Sequence, residues 1–149
     1  MKLRRFMAIG MTVALTATMF SGVSVYAESS DPEPFKIGFP WDTANTDPTW
    51  ISIYNNVKAA VESAGGELVN VVTDNSADGL IDNISELISR DVDGILFMPA
   101  SDSMLPAVDA MCADAGVYRG TMFRTISDDD IREAMYDSEW FAGGCNEDD

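Results

Sequence analysis

The 149-residue chain carries nine Lys and Arg residues against 25 Asp and Glu residues, for a formal charge of −16, and it has no His. So acidic a surface repels nucleic acid and anionic lipid, which disfavours nucleic-acid binding and attachment to membranes through a basic patch. Without His there is no Ser-His-Asp or Cys-His machinery and no His-ligated metal site. A hydrophobic content of 46% in a chain of this length is enough to close one core.

The amino terminus has the pattern of an export signal. Basic residues precede an uncharged apolar run over residues 6–20, and a small-x-small pattern ends at Ala27 before the chain turns acidic. An uncleaved membrane anchor needs about 20 apolar residues, and the run here is shorter. We expect a signal peptide over residues 1–27 and a flexible polar leader over residues 28–35. The mature protein is then exported to the periplasm or cell envelope and does not itself span the membrane.

Short apolar strands alternate with amphipathic helices through the rest of the chain. Asp47 and Pro48 predict the cap and first residue of a helix, and Gly65-Gly66 and Gly116 predict helix ends. Ser101 or Ser103 is the predicted cap of a third helix, and the acidic run 127–130 precedes a fourth. Strands are predicted over residues 36–39, 67–73, 95–98 and 120–123, with a fifth beginning near Trp140.

Strands that recur at intervals of about 30 residues with helices between them predict right-handed crossovers and a parallel sheet covered by helices. The predicted fold class is therefore α/β with a doubly wound parallel sheet, formed by residues 36–149. The chain ends where a fifth strand needs its own following helix. We therefore expect the domain to be incomplete.

Polar loops follow every predicted strand, at the edge where open parallel sheets hold ligands. Their Asp, Asn, Ser and Thr side chains, with added Trp and Arg, suit a neutral polyhydroxylated ligand, because carboxylates and amides bind hydroxyls while an indole face packs against C–H groups. These loops are residues 41–47, 74–76, 100–103, 124–125 and 143–146.

Each candidate residue in these loops also has a structural interpretation. Trp50 lies in a first helical turn and suits a hydrophobic core as well as a ligand, and Trp41 suits a cover for the sheet edge. Asp47 is a helix cap by spacing. Arg124, a lone cation at a strand end in an acidic chain, requires a fixed carboxylate or a ligand as partner, or forms a structural salt bridge.

Signatures of enzymes and metal sites are weak. No G-x-G-x-x-G, P-loop or C-x-x-C motif is present, so no catalytic residue, cofactor or metal is predicted. Residues 74–79 match the first half of an EF-hand loop, but Ser85 stands where that loop requires its last acidic ligand. Cys112 lies on the apolar side of a predicted helix, which favours a buried thiol over a disulfide with Cys145.

The order of segments resembles a known family. The sequence has KIGF, a polar loop, DPTW at a helix start, VKAAVESAGGELVNVVTDN, LIDNISELISRDVDGILFMPASDS and a strand ending in Arg. This succession resembles the amino-terminal lobe of type I periplasmic binding proteins of the ribose-binding kind, the solute receptors of sugar ABC importers. The resemblance covers residues 35–124, with an extension to residue 146. It implies a periplasmic binding protein-like lobe, present here in part.

The resemblance also implies a ligand site. Its loop after the first strand and the aromatic residue opening the first helix correspond to Asp47 and Trp50, with Trp41 and Asp42 as looser candidates. Its strand-end Arg corresponds to Arg124, and its loop after the fifth strand corresponds to Asn146, unless another register places residues 138–139 there. The chain departs from the family at Thr49, where a second aromatic is common, and at residues 118–119, where a proline and apolar residues are usual.

The function implied is that of a substrate-binding component of an ABC-type sugar importer, with a small carbohydrate as ligand at the interlobe cleft and the membrane permease as partner. Related cytoplasmic repressors carry a DNA-binding helix-turn-helix where this chain has an export signal. The alternative is an exported receptor that presents a signal molecule to a membrane sensor kinase, and an enzyme of flavodoxin-like fold comes third. Without a second lobe, we expect the chain to bind sugar weakly or not at all.

Overall fold

The computed structural model describes residues 34–145, in which strands and helices alternate along the chain. The signal peptide, most of the leader and Asn146 lie outside the described residues. The strands are β1 (Lys36–Pro40), β2 (Glu67–Val71), β3 (Gly94–Phe97), β4 (Tyr118–Thr125) and β5 (Phe141–Cys145). The helices are α1 (Pro48–Ser63), α2 (Ala77–Ser89), a 3₁₀ turn (Asp102–Met104), α3 (Leu105–Ala115) and α4 (Asp129–Asp137).

All five strands lie parallel in one sheet with the order β2-β1-β3-β4-β5. The chain moves outward from β1 to β2 and then returns across β1 to β3. Right-handed crossovers therefore place α1 on one face of the sheet and α2, α3 and α4 on the other. The order reverses between β1 and β3, and the crevice at their carboxyl ends is where such sheets bind ligands. The predicted α/β class and parallel sheet are confirmed.

The main core lies between the sheet and helices α2, α3 and α4. The apolar face of α2 lies against this core, because Leu80, Ile84 and Leu87 are all buried at helical spacing. They pack with side chains from the strands and from α3, which are Val71, Ile95, Phe97, Leu105, Val108 and Cys112. The burial of Cys112 raises the pKa of its thiol to about 11, and Cys112 and Cys145 are both free.

The helix boundaries follow the predicted signals. Asp47 caps α1, and Pro48 is the first helical residue, where its missing N–H costs nothing. Gly65 and Gly116 have φ angles of +83° and +67°, the left-handed conformation that ends α1 and α3 without a steric penalty. Within the residues described, no helix is both long enough and apolar enough to cross a membrane.

The boundaries predicted for three strands, β2, β4 and β5, are wrong. β2 ends at Val71, because Trp41 N–H donates the last ladder bond to Val71 O and the chain after β1 then leaves the sheet. β4 runs to Thr125 and so includes Arg124, and residues 143–145, predicted as a loop, lie in β5. The β4 and β5 strands pair through two register shifts, which extend the ladder past a bulge.

The predicted cap of the third helix is also wrong. The side chains of Ser101 and Ser103 hydrogen-bond to each other at 2.9 Å, and neither caps the helix. A 3₁₀ turn leads into α3 instead. The carboxylate of Asp102 accepts hydrogen bonds from Ser127 N–H at 2.7 Å and from Asp128 N–H at 3.1 Å. The loop after β3 is thereby tied to the start of α4.

Arg119, one of the positions that departs from the family pattern, is fully buried in β4. It forms an ion pair with Asp109 of α3, and its guanidinium carbon lies 5.8 Å from the centre of the Phe141 ring. Burial disfavours the charged form and lowers the pKa of Arg119 to about 10. Neither Nε nor Nη1 has a hydrogen-bond partner among the described residues. The pair therefore replaces apolar packing at a cost in desolvation.

The core contact of Ile84 gives a stability prediction. Ile84→Ala lowers the free energy of unfolding by about 2–5 kcal/mol, because it removes apolar contacts and leaves a cavity beneath α2. The control is Ile51→Ala in α1, since Ile51 is 46% exposed and its loss changes the free energy by less than about 0.5 kcal/mol. Urea denaturation measures both. Equal effects of the two variants would contradict the assignment of the core.

The Arg119–Asp109 pair gives a second prediction. Asp109→Ala leaves the buried guanidinium without its counter-charge and destabilises the fold by about 3 kcal/mol. This is the low end of the range for a broken buried pair, since the Asp109 side chain is 31% exposed. In the double variant Arg119→Met with Asp109→Leu, apolar packing restores most of the stability. A double variant less stable than Asp109→Ala would show that the pair itself stabilises the fold.

Candidate functional site

The carboxyl edge of the sheet is built around the indole of Trp41, the residue that follows β1. Trp41 is only 1% exposed. Its ring stacks on Phe39 at a centroid distance of 5.0 Å and on Trp50 at 4.4 Å. Its Nε1–H donates to Trp50 O at 3.2 Å. Both faces of this indole are therefore occupied by protein, and Trp41 supports the site rather than offering a free ring face.

Trp50, in the first turn of α1, is half-buried on top of Trp41. One face of its ring is covered by Trp41. Its Nε1–H is shielded from solvent and has no acceptor among the described residues. A buried donor without a partner costs free energy, which an added acceptor recovers. Trp50 thus combines an indole surface at the sheet edge with an unused hydrogen-bond donor.

The two acidic candidates hold backbone groups of the loop between β1 and α1. Asp47 Oδ1 accepts from Thr49 N–H at 2.7 Å and from Trp50 N–H at 3.4 Å. The hydrogen bond from Thr49 N–H is the main reason that the pKa of Asp47 lies below its ordinary value of 3.8. Asp42 Oδ1 accepts from Ala44 N–H at 3.1 Å. A carboxylate group accepts several hydrogen bonds, so capping and ligand binding are compatible here.

Arg124 has a protein partner. It lies near the end of β4, and its Nη1 donates to the backbone carbonyls of Pro99 and Ala100 in the loop after β3. These contacts fix the loop after β3 against the end of the adjacent strand β4. The partner that the sequence required of Arg124 is therefore the backbone, neither a carboxylate nor a salt bridge among the described residues.

Phe123 is a further candidate at this edge, one that the sequence did not reveal. The residue precedes Arg124 in β4, is 57% exposed and has a φ angle of +61°. Its ring lies 6.5 Å from that of Trp41, tilted by 45°, although β3 runs between β1 and β4. A bulky residue in the left-handed conformation is unusual and strained, and such residues concentrate at functional sites. An ordinary strand pattern such as residues 120–123 carries no signal for it.

The stretch that resembles half an EF-hand loop has a different role. Asp74 accepts hydrogen bonds from the Ser76 backbone N–H and hydroxyl, at 2.9 and 2.8 Å, and the former holds its pKa below the ordinary value. Ser76 in turn caps α2 through Gly79 N–H. Over residues 34–145 no group of three or more Cys, Asp and Glu side chains is placed to hold a metal ion. The acidic pattern here forms a helix start.

Solved structures with a similar fold bind small polyols. No protein-family model matches the sequence, and no curated protein does. An ABC transporter solute-binding protein from Mycobacterium smegmatis with bound glycerol is similar over 64% of this chain and 33% of its own, with 21% identity and a TM-score of 0.56. One from Actinobacillus succinogenes with bound D-allose covers 67% and 35%, with 18% identity and a TM-score of 0.56. One from Bacillus halodurans with bound myo-inositol covers 69% and 36%, with 21% identity and a TM-score of 0.53.

This chain has the fold of periplasmic solute-binding proteins. At these identities the similarity shows the fold, and the chain spans about a third of the length of those proteins. The three similar structures named above are solute-binding proteins of ABC transporters. The resemblance inferred from the sequence is confirmed at this level, as is the partial coverage of such a protein.

The structure brings four of the predicted site residues together. Trp41, Asp42, Asp47 and Trp50 lie in one loop and the helix turn that follows it, joined by the contacts above. Arg124 reaches the neighbouring loop instead. Asn146 lies outside the described residues, so its place remains a prediction. Direct contact of any of these side chains with a ligand also remains a prediction.

The cap at Asp47 predicts a pH dependence. Because the folded-state pKa is lowered, ionised Asp47 stabilises the fold above pH 3.8, and this contribution is lost as the pH falls through the folded-state pKa. Asp47→Asn keeps a capping acceptor and loses that acid-dependent part, so its melting temperature falls less between about pH 5 and about pH 2. Asp47→Ala melts lower than the wild type at neutral pH.

Thermal unfolding followed by circular dichroism over this pH range checks the prediction. Asp82→Asn, which changes an exposed residue of α2, controls for the removal of one negative charge. If Asp47→Asn and Asp82→Asn show the same acid-dependent fall, the ionised cap contributes nothing.

Proposed function

We propose that this chain supplies one half of the carbohydrate site in the substrate-binding component of an ABC-type sugar importer. The observation that carries the proposal is the aromatic and acidic edge at the reversal of strand order, built by Trp41, Trp50, Asp42 and Asp47. Indole surface packs against sugar C–H groups, and carboxylate oxygens accept from hydroxyls. The fold supports the assignment, since proteins that share it hold D-allose, β-D-glucose and myo-inositol.

Charge supports a neutral ligand. The chain has a formal charge of −16, and Arg124 is engaged by backbone carbonyls. An anionic solute meets no free cation among the candidate residues and is repelled by the protein as a whole. A neutral polyol needs only hydrogen-bond acceptors, donors and an apolar surface. The unused Nε1–H of Trp50 is a suitable donor to a hydroxyl oxygen.

The remaining parts of the proposal concern the whole protein. Residues 36–149 form the amino-terminal lobe, a second lobe closes over the ligand by a hinge motion, and a membrane permease receives the closed form. Residues 1–27 direct export to the periplasm or cell envelope and are then removed. The ligand is held between lobes, so one lobe by itself leaves half of the ligand in water.

Direct titration tests the proposal. The purified chain binds D-glucose, D-allose, myo-inositol or glycerol saturably but weakly, with dissociation constants in the millimolar range, because only half of the contacts form. Tryptophan fluorescence and saturation-transfer NMR report the binding. Trp50→Ala weakens the best ligand at least about tenfold, which corresponds to about 1.4 kcal/mol.

Trp140→Ala is the matched control for Trp50→Ala. Trp140 is also half-buried, and it lies just before β5 at the amino edge of the sheet, remote from the site. The Trp140→Ala variant binds the polyols with the affinity of the wild type. Failure of all four polyols to bind contradicts the carbohydrate site, and sub-micromolar binding contradicts the half-site.

A further inference from the structure

The polar side chains at the carboxyl edge are largely committed to the protein backbone. Arg124 donates to the carbonyls of Pro99 and Ala100, and Asp102 accepts from Ser127 and Asp128. The side-chain amide of Asn70 donates to Phe39 O at 2.8 Å and to Trp41 O at 3.2 Å. Among the predicted site residues that the structure describes, the groups left for ligand hydroxyls are therefore the carboxylates of Asp42 and Asp47 and the Nε1–H of Trp50.

Apolar ring surface at this edge is, by contrast, free. Phe123 is 57% exposed, the highest value among the aromatic side chains that the structure describes. Its ring lies against the buried ring of Trp41. Exposure of a phenyl ring to water is unfavourable, so a ligand that covers the ring gains free energy of binding. Its position at the carboxyl end of β4 places it beside the reversal of strand order rather than on an outer helix.

The backbone holds Phe123 in this place against its own preference. The φ angle of +61° is a conformation that Gly adopts freely and Phe adopts at a cost. The residue falls within the register shift of β4 on β5, between Gly120 and Thr125. Such bulges redirect a side chain next to functional sites. As a result, the phenyl ring lies at the sheet edge, while the neighbouring Arg124 hydrogen-bonds to the loop after β3.

We propose, on the basis of the proposed function, that the ligand carries a flat unsaturated ring joined to its polyol, and that Phe123 stacks on that ring. The carboxylates of Asp42 and Asp47 bind the hydroxyls, and the exposed phenyl group binds the flat ring through offset or edge contacts. Aryl glycosides and nucleosides share this chemistry. Nucleotides are excluded by the charge of −16 and by the engagement of Arg124.

Paired ligands that differ only in the ring test the inference. Phenyl β-D-glucopyranoside binds the purified chain about tenfold tighter than methyl β-D-glucopyranoside, as measured by fluorescence titration and saturation-transfer NMR. Adenosine forms the second arm, and whichever of adenosine and the phenyl glycoside binds tighter identifies the source of the ring. Equal affinities for the phenyl and methyl glycosides, with adenosine no tighter than either, overturn the inference and leave the carbohydrate site in place.

Variants of Phe123 separate binding from folding. Phe123→Gly abolishes the preference for the ring-bearing ligand, so that the phenyl and methyl glycosides bind equally, while its melting temperature stays level or rises, because Gly adopts the left-handed backbone without strain. Phe123→Tyr keeps the ring and the preference. Tyr118→Ala is the matched control, since Tyr118 is 42% exposed at the opposite end of β4.

The outcomes distinguish this inference from the proposed function. A preference that persists in Phe123→Gly, or one that is lost only together with a lower melting temperature, overturns the role of Phe123. If the methyl glycoside, the phenyl glycoside and adenosine all fail to bind, as do the simple polyols, the carbohydrate site itself is contradicted.

Discussion

The stacking of Trp41 is the interaction on which the carboxyl edge of this sheet depends. The residue joins four elements, since its ring contacts Phe39 of β1, Trp50 of α1 and Phe123 of β4, and its backbone N–H reaches Val71 of β2. Burying an aromatic side chain removes about 150–250 Å² from water, worth about 4–6 kcal/mol at most. The same contacts fix the orientation of Trp50 and Phe123. The contacts of Trp41 therefore stabilise the fold and also position the candidate site.

This arrangement explains how a strongly acidic chain presents a site for a neutral ligand. The acidic residues near the edge are held as helix caps and turn formers, at Asp47, Asp74 and Asp102. Asp47 satisfies backbone N–H groups that the start of α1 leaves unpaired, whereas Asp74 and Asp102 accept from residues just before α2 and α4. What remains for a ligand is the further acceptor capacity of these carboxylates and the aromatic surface. Two arginines of β4 are engaged by the protein, Arg119 with Asp109 and Arg124 with backbone carbonyls.

Local signals predicted the elements and chain geometry predicted their assembly. The cap at Asp47, the left-handed glycines and the apolar face of α2 depend on neighbours three or four residues away, so they can be seen in the sequence. The extent of β2 and β4 depends on where a neighbouring strand stops offering hydrogen-bond partners. That point cannot be seen in the sequence. The cap predicted at Ser101 or Ser103 was wrong because the two hydroxyls bond to each other, a contact no propensity describes.

The sequence by itself determined the α/β class, the parallel sheet, the likeness to periplasmic binding proteins and the loop from Trp41 to Trp50 as the place to look for a ligand. Periodicity, helix caps and segment order are one-dimensional, and they survive in the chain without its neighbours. The tertiary structure decided that Trp41 is buried beneath Trp50, that Arg124 binds the loop after β3, and that Phe123 turns to the edge. These depend on contacts between β1, β3 and β4, residues far apart in the chain that the sheet brings together.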